Sequence, residues 1–256
     1  MVPDYEVKLL LDAAAVLGAD NKLTPAVLSA FEMPKAVTKM NVQFFDTNDK
    51  SLYTAGWSPR IRKTEGEAEV ELTYKKRYPI DLTAATGGGI DGALATAKAE
   101  GFDSSDENFD AQVEWGYQKQ TLSVSYQATA PGSEHSGIEL PGQDESQEML
   151  IKGAPSKSDD WKKHRGTEAL GASRIYGPVL ARRSTGTWGE LKVYIEVWPI
   201  RDEAGTGIQH VVEASFKAKK QSKAADKQAG LVKFLTEREW FVPQDSLKTQ
   251  LIMDRY

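Results

Sequence analysis

The sequence predicts an α+β protein organised around a curled antiparallel sheet, and three observations carry that expectation. Five stretches place charged side chains at every second residue: Asp4-x-Glu6-x-Lys8, Arg60-x-Arg62, Glu69-x-Glu71-x-Thr73-x-Lys75, Lys192-x-Tyr194-x-Glu196 and Glu213-x-Ser215-x-Lys217-x-Lys219. Residues two apart in a strand share a face, and the positions between them are mostly apolar, as in Tyr5, Val7 and Leu9 or Leu191, Val193, Ile195 and Val197. Each such strand has one apolar and one charged face, and curling the sheet brings the charged faces around one cavity. Helical patterns fall near the start, middle and end. Without strict alternation of strand and helix, a parallel α/β sheet is not expected.

Taken in order, residues 4 to 12 alternate as a strand. Residues 24 to 33 read as a short helix, with Thr24 as N-cap and Pro25 at the first helical position. The segment from Lys35 to Phe45 runs into Asp46-Thr47-Asn48-Asp49, a turn signal. Residues 59 to 64 and 67 to 78 are two further strands joined through Glu65-Gly66-Glu67. Gly87-Gly88-Gly89 reads as a connector before a helical pattern over Ile90 to Ala99, since a phosphate-cradling loop needs a Gly-Lys-Ser/Thr ending that is missing here. Residues 111 to 128 return to alternation. From about 130 to 172 the chain is rich in Gly, Ser, Pro and charge, and an irregular insertion is expected, either a lid or a mobile segment. Strands over 174 to 185, 190 to 198 and 209 to 219 follow, then an amphipathic helix over 222 to 239. The whole of 1–256 is expected to form one domain.

Composition excludes several functions. The chain has no cysteine, which removes disulfides, thiolate catalysis and zinc-thiolate sites. Its three histidines, His135, His164 and His210, are far apart in sequence, so a multi-histidine metal site is not expected. A formal charge of −5 argues against a basic nucleic-acid surface, so any cation-rich site must be local. No apolar run reaches the ~20 residues of a membrane span, and the N-terminus carries no leader pattern, so a cytoplasmic protein is expected.

The acid-x-Glu-x-Lys start, the Phe45-Asp46-Thr47 turn, Arg60-Ile61-Arg62, Leu72-Thr73-Tyr74-Lys75 and a late Glu-bearing strand before an Ala/Leu helix resemble the CYTH superfamily, the triphosphate tunnel metalloenzymes that include class IV adenylyl cyclase and thiamine triphosphatase. The likeness is best over the first 80 residues and looser over the last 75. It implies a closed or nearly closed antiparallel eight-stranded β-barrel, a tunnel with flanking helices, that binds a triphosphate with Mg2+ or Mn2+. Such a ligand carries about four negative charges, so Lys and Arg must offset them while carboxylates hold the hard cation. The resemblance puts Asp4, Glu6 and Glu213 at metal positions, and Glu71 or Glu196 can make up for the late glutamate this chain lacks. Glu6, Lys8 and Glu196 fall to catalysis. Lys8, Arg60, Arg62, Lys75, Lys192, Lys217 and Arg182, or its neighbour Arg183, fall to phosphate, where arginine offers bidentate contacts. Water oriented by the metal would attack the terminal phosphorus.

The chain departs from the pattern at Asp4, where the family has Glu, and at Ser215, where it has a second late Glu; Lys217 then adds a cation. Those departures leave open a repurposed barrel that binds or transforms a non-phosphate small molecule by acid/base chemistry, without metal. Cyclisation by a ribose 3′-hydroxyl would use the same tunnel, but no residue here selects adenine. Blander readings attach to other features. Lys219, Lys220 and Lys223 suit a solvated strand end, Lys162-Lys163-His164-Arg165 a loop surface, and Trp57, Trp115, Trp188 and Trp240 packing, while Trp198 shares its parity with Glu196. A small-molecule substrate, no nucleic acid, no membrane and a monomer or homodimer are expected.

Overall fold

The computed structural model describes residues 1–83, 88–103, 108–131, 137–160, 165–245 and 248–256. Gly87, His135 and Lys162-Lys163-His164, singled out above, lie outside them. In chain order the first half contains β1 (Asp4–Leu11), α1 (Ala13–Val16), α2 (Pro25–Ala30), β2 (Thr38–Asp46), α3 (Ser51–Thr54), β3 (Trp57–Thr64), β4 (Glu69–Pro79) and α4 (Gly89–Ala99). The second half contains β5 (Asp110–Trp115), β6 (Gln120–Pro131), α5 (Gln143–Gly153), α6 (Ser156–Asp160), α7 (Arg165–Gly171), β7 (Arg174–Trp188), β8 (Leu191–Arg201), β9 (Ile208–Ala218), α8 (Gln221–Thr236), β10 (Phe241–Val242) and α9 (Lys248–Arg255).

The sheet closes on itself in the order β1-β5-β6-β4-β3-β2-β7-β8-β9 and back to β1. Closure leaves no free edge among these strands. The barrel thus has nine strands, not eight, and the tenth, β10, pairs only with Leu10 and Leu11 at the end of β1. Nor is the ring wholly antiparallel, because β1 and β5 run parallel, with Asp4 beside Gln112 and Glu6 beside Glu114.

The extra strand comes from residues 111 to 128, whose alternation reads as one strand but folds as a hairpin. Its turn is organised from far along the chain. The Asp245 carboxylate accepts the backbone N–H groups of Tyr117 (2.5 Å), Gln118 (2.9 Å) and Lys119 (3.1 Å). A side chain at Gly116 would displace this cap, since a Cβ would lie 2.1 Å from Asp245 Oδ1.

The helix start at Thr24 and Pro25 forms as expected, with the Thr24 hydroxyl accepting from the Val27 N–H. The insertion does not: instead of irregular chain it carries α5, α6 and α7. They pack on the outer wall, where Leu150 is fully buried, Tyr74 donates to the Leu150 carbonyl (2.5 Å) and Gln43 donates to Ser146 Oγ (2.8 Å). Among the described residues, none of the insertion lines the barrel cavity, so no lid over it is seen there.

Two apolar cores result from the two faces. The outer one lies between the barrel and its helices, with Val7 and Leu9 of β1 and Leu231 and Leu235 of α8 fully buried or nearly so. The inner one fills one end of the barrel. There Ile252 and Met253 of α9 pack with Met40, Val42, Phe44, Ile200 and Val211 from inward-facing strand positions. Burying each of these two plug side chains stabilises by ~2 kcal/mol, which fixes α9 in the barrel. No described helix is long and apolar enough to cross a membrane.

Candidate functional site: a charge-lined cavity with two lysine-bridged acid pairs

The inward face of β1 reads Asp4, Glu6, Lys8, Leu10, from the half-exposed mouth to the apolar plug. The inward faces of β8 (Tyr194, Glu196, Trp198, Ile200) and β9 (Lys217, Ser215, Glu213, Val211) repeat that gradient, and the interior is a cavity of about 780 Å³ floored by α9. Its lining includes nine basic and seven acidic side chains, a local excess of cations in a chain of net charge −5.

Three groups of ion pairs organise it. On the β1, β5 and β4 wall, parallel pairing sets Glu6 beside Glu114, and Lys8 Nζ lies between them, 2.9 Å from Glu6 and 3.4 Å from Glu114. Glu114 also takes Lys75 (2.7 Å) and Arg77 (3.6 Å). On the adjoining wall, where β9 pairs with β1, antiparallel pairing of β8 and β9 sets Glu196 beside Glu213. Lys248 Nζ, from the first residue of α9, lies between them at 2.6 and 2.8 Å. Arg183 Nε and Nη2 both donate to Glu196 Oε1 (2.9 and 2.7 Å), and Trp198 Nε1 donates to Oε2 (2.8 Å). The third group joins Glu71 to Arg62 and, at 3.6 Å, to Arg60.

These contacts divide the titratable groups. Burial works against the charge on Glu114, but Lys75, Lys8 and Arg77 outweigh it and hold its pKa well below the usual carboxylate range. Burial likewise opposes the charge on Glu196, and Lys248 and Arg183 pull its pKa far down. Glu213 goes the other way: burial raises its pKa, and Lys248 and Lys8 offset this only in part. For Lys75, burial wins over the attraction of Glu114 and lowers its pKa to about 8. Lys8 and Lys248 are also penalised by burial, yet their flanking glutamates raise both.

Most of the residues singled out by sequence meet in this cavity. Asp4, Glu6, Lys8, Arg60, Arg62, Lys75, Glu196, Glu213 and Lys217 line it. Arg182 does not: it faces outward and donates to the Asn21 carbonyl (2.7 Å), so the inward arginine of the pair is Arg183. Lys192 is on the inward parity but sits beside the β7–β8 turn, exposed, its Nζ 5.3 Å from the Tyr194 ring. Ser215 also lines the cavity and lies across from Lys8 in the β1–β9 pairing.

The metal set expected from the resemblance does not assemble. Asp4 pairs with Lys219 (2.6 Å), Glu6 with Lys8, Glu71 with two arginines and Glu213 with Lys248. Among the described residues no three acidic or histidine side chains converge. A donor set in which each carboxylate is already matched by a protein cation does not fit Mg2+ or Mn2+, which need several oxygen ligands at once.

Arg77, Glu114 and Lys248 were not among the sequence candidates. Arg77 and Glu114 extend patterns already visible, as Lys75-x-Arg77 and Gln112-x-Glu114. Arg183 could not be told from Arg182. Lys248 gives no local signal, because a helix from the far end of the chain delivers it.

Fold and site together define a closed β-barrel with a charge-lined cavity. Its solved relatives in shape include a candidate adenylyl cyclase from Hippeastrum, described as having a dominant triphosphatase activity, at 15% identity over 96% of this chain and 93% of that one, with a TM-score of 0.56. A candidate adenylate cyclase from Bacillus halodurans is similar at 13% identity over 97% and 96% of the two chains, with a TM-score of 0.52. No protein-family model matches the chain, and no curated protein matches it.

Proposed function

We propose that this protein binds a polyphosphorylated small molecule, inorganic or organic, in the barrel cavity and hydrolyses its terminal phosphoanhydride. One observation carries the reading. The buried Nε–H groups of Arg60, Arg62 and Arg77, all on cavity-lining residues of β3 and β4, have no hydrogen-bond partner in the protein. A buried unpaired donor on a charged group is costly, and three on one wall of a cation-rich cavity suit an oligoanion that accepts from all of them. The triphosphatase described for the Hippeastrum protein is in keeping with this.

The chain's own residues supply the chemistry. Water attacks the terminal phosphorus, its oxygen forms the new P–O bond, and the bridging P–O bond breaks. Glu6 and Glu196, pinned by cations that lower their pKa values, are weak bases. Glu213, whose pKa is raised, is the better acceptor for the water proton. Lys75, at about 8, can donate a proton to the departing phosphate oxygen. The arginine wall offsets the charge gathered on the leaving group.

A second reading rests on the same two groups. A raised carboxyl and a lowered lysine in a cavity with an apolar floor also suit proton transfer on a non-phosphate molecule. One experiment separates the two: titration with tripolyphosphate by calorimetry, and phosphate release from tripolyphosphate, thiamine triphosphate and nucleoside triphosphates, each with Mg2+ and with EDTA. Micromolar binding with phosphate release is expected. Neither binding nor release under any condition would end the hydrolase reading and favour the second.

A further inference from the structure

The Glu196 and Glu213 pair poses an electrostatic problem that the barrel itself does not solve. Antiparallel registration of β8 and β9 puts the two carboxylates directly opposite each other, an arrangement that repels. Both are nearly buried. Arg183 engages only Glu196, through Oε1. A second cation is needed, and it comes from outside the barrel strands: Lys248 Nζ, 2.6 Å from Glu196 Oε2 and 2.8 Å from Glu213 Oε1.

Lys248 is held there firmly. Its ammonium also lies 4.8 Å from the centre of the Trp198 ring. One residue on, Thr249 Oγ1 accepts from Arg77 (3.3 Å). Further along α9, Ile252 and Met253 are buried in the inner core, and Arg255 Nη1 donates to the Arg201 carbonyl (3.0 Å) and Gln209 (2.8 Å). The same device occurs on the adjoining β1 and β5 wall, where Lys8 lies between Glu6 and Glu114. An acid pair bridged by a lysine is therefore a repeated solution in this cavity, and not an accident of one side chain.

We propose that Lys248 is a resident, tethered cation that holds the Glu196 and Glu213 carboxylates where the family resemblance implies a divalent metal, so that this wall needs no Mg2+ or Mn2+ when the ligand binds. The consequence for ligand uptake rests on the polyphosphate reading above; the identity of the cation does not. An ammonium has three N–H donors, and two are taken by the glutamates. The third is left for a phosphate oxygen in the cavity that Lys248 lines.

Mn2+ titration of the protein, followed by the electron paramagnetic resonance of the free ion, tests the cation directly. The wild type is expected to take up no Mn2+ at this pair, matching Glu213→Gln. Lys248→Ala is expected to gain a saturable site, at least about tenfold tighter than any wild-type uptake because a competing positive charge is gone. Adding Glu213→Gln should remove that gain. Saturable Mn2+ uptake by the wild type that Glu213→Gln abolishes would overturn the proposal, as would a folded Lys248→Ala chain that gains none. If Lys248→Ala does not fold, the comparison of wild type with Glu213→Gln decides alone. Tripolyphosphate calorimetry in EDTA tests the consequence. Binding that needs Mg2+ would overturn metal-free uptake while leaving the polyphosphate reading intact, and no binding with or without Mg2+ would overturn that reading while leaving the Mn2+ result standing.

Discussion

The two walls of the cavity are both charged, yet they are finished differently. On the β8, β9 and α9 wall both oxygens of Glu196 and Oε1 of Glu213 meet a cation or an indole N–H, and Arg183, Glu196, Lys248 and Glu213 form one network within the protein. On the β3 and β4 wall, Arg60, Arg62 and Arg77 keep buried Nε–H groups that make no hydrogen bond, Arg77 Nε having only a 3.6 Å ion-pair approach to Glu114. A satisfied buried network rigidifies, whereas an incomplete one costs free energy that something else must offset. One wall is thus built to hold the barrel's shape, and the other is left to be completed by a ligand. Substitutions on the first should cost stability, and those on the second should cost affinity.

The largest expected effect is on the satisfied wall. Lys248→Met keeps most of the apolar stem but leaves two facing buried carboxylates with one arginine, and removing one partner of a buried ion pair costs ~3–5 kcal/mol. Denaturant unfolding should register that loss, and adding Glu213→Gln should recover much of it. A loss below ~1 kcal/mol would mean that the pair does not depend on Lys248, and the contrast between the walls would fail.

Arg60→Gln probes the other wall. Glu71 keeps Arg62, so the fold should unfold within ~1 kcal/mol of wild type, while tripolyphosphate affinity falls about 10- to 100-fold, the worth of one or two charge-assisted hydrogen bonds. Equal affinity in calorimetry, with Arg60→Gln folded, would remove the ligand from this wall.

How much of this was legible in sequence depends on distance along the chain. Strand alternation is local, so Glu6, Lys8, Arg60, Arg62, Lys75, Glu196 and Glu213 were placed on inward faces from spacing alone, and all line the cavity. Alternation is blind to where a run breaks, and the hairpin within 111 to 128 depends on Asp245, more than a hundred residues away. Two adjacent arginines carry no parity signal, and only the register of β7 against β8 turns Arg183 inward. The metal expectation was drawn from carboxylates on strands, while the lysine that meets two of them arrives on a C-terminal helix with no strand pattern to announce it. The helices of the insertion escaped notice because they pack on the outer wall through few apolar residues, such as Leu150 and Leu170.

Lys75 gives a smaller, pH-dependent test. Its folded pKa of about 8 lies below the ordinary lysine value of 10.5. Between those values the unfolded chain holds a proton that the folded one has released, so this group's contribution makes stability rise with pH over that window. Ligand affinity should move the opposite way, because an anion binds the protonated form. Tripolyphosphate binding is expected to weaken from about pH 8 upward, by at most tenfold per unit, relative to Lys75→Met. Calorimetry in buffers of different ionisation enthalpy should register proton uptake on binding. Identical pH profiles for wild type and Lys75→Met would show that Lys75 stays charged and takes no part as an acid.

The smallest expected effect separates the mouth from both walls. Asp4 was the first metal position implied by the family resemblance, yet it is paired with Lys219, which is 85% exposed at the rim. A pair so open to solvent contributes little. Asp4→Asn should therefore leave thermal unfolding unchanged and alter phosphate release by no more than about twofold, chiefly through the local potential that steers an anion inward. A carboxylate that ligated a divalent ion essential to the reaction would instead cost orders of magnitude when changed to an amide. Loss of activity in Asp4→Asn, restored by raising Mn2+, would put a metal at the mouth and break the contrast drawn here, since neither wall would then supply the decisive cation. Retained activity in EDTA would confine the charge that matters to the arginine wall and the two lysine-bridged pairs below the rim.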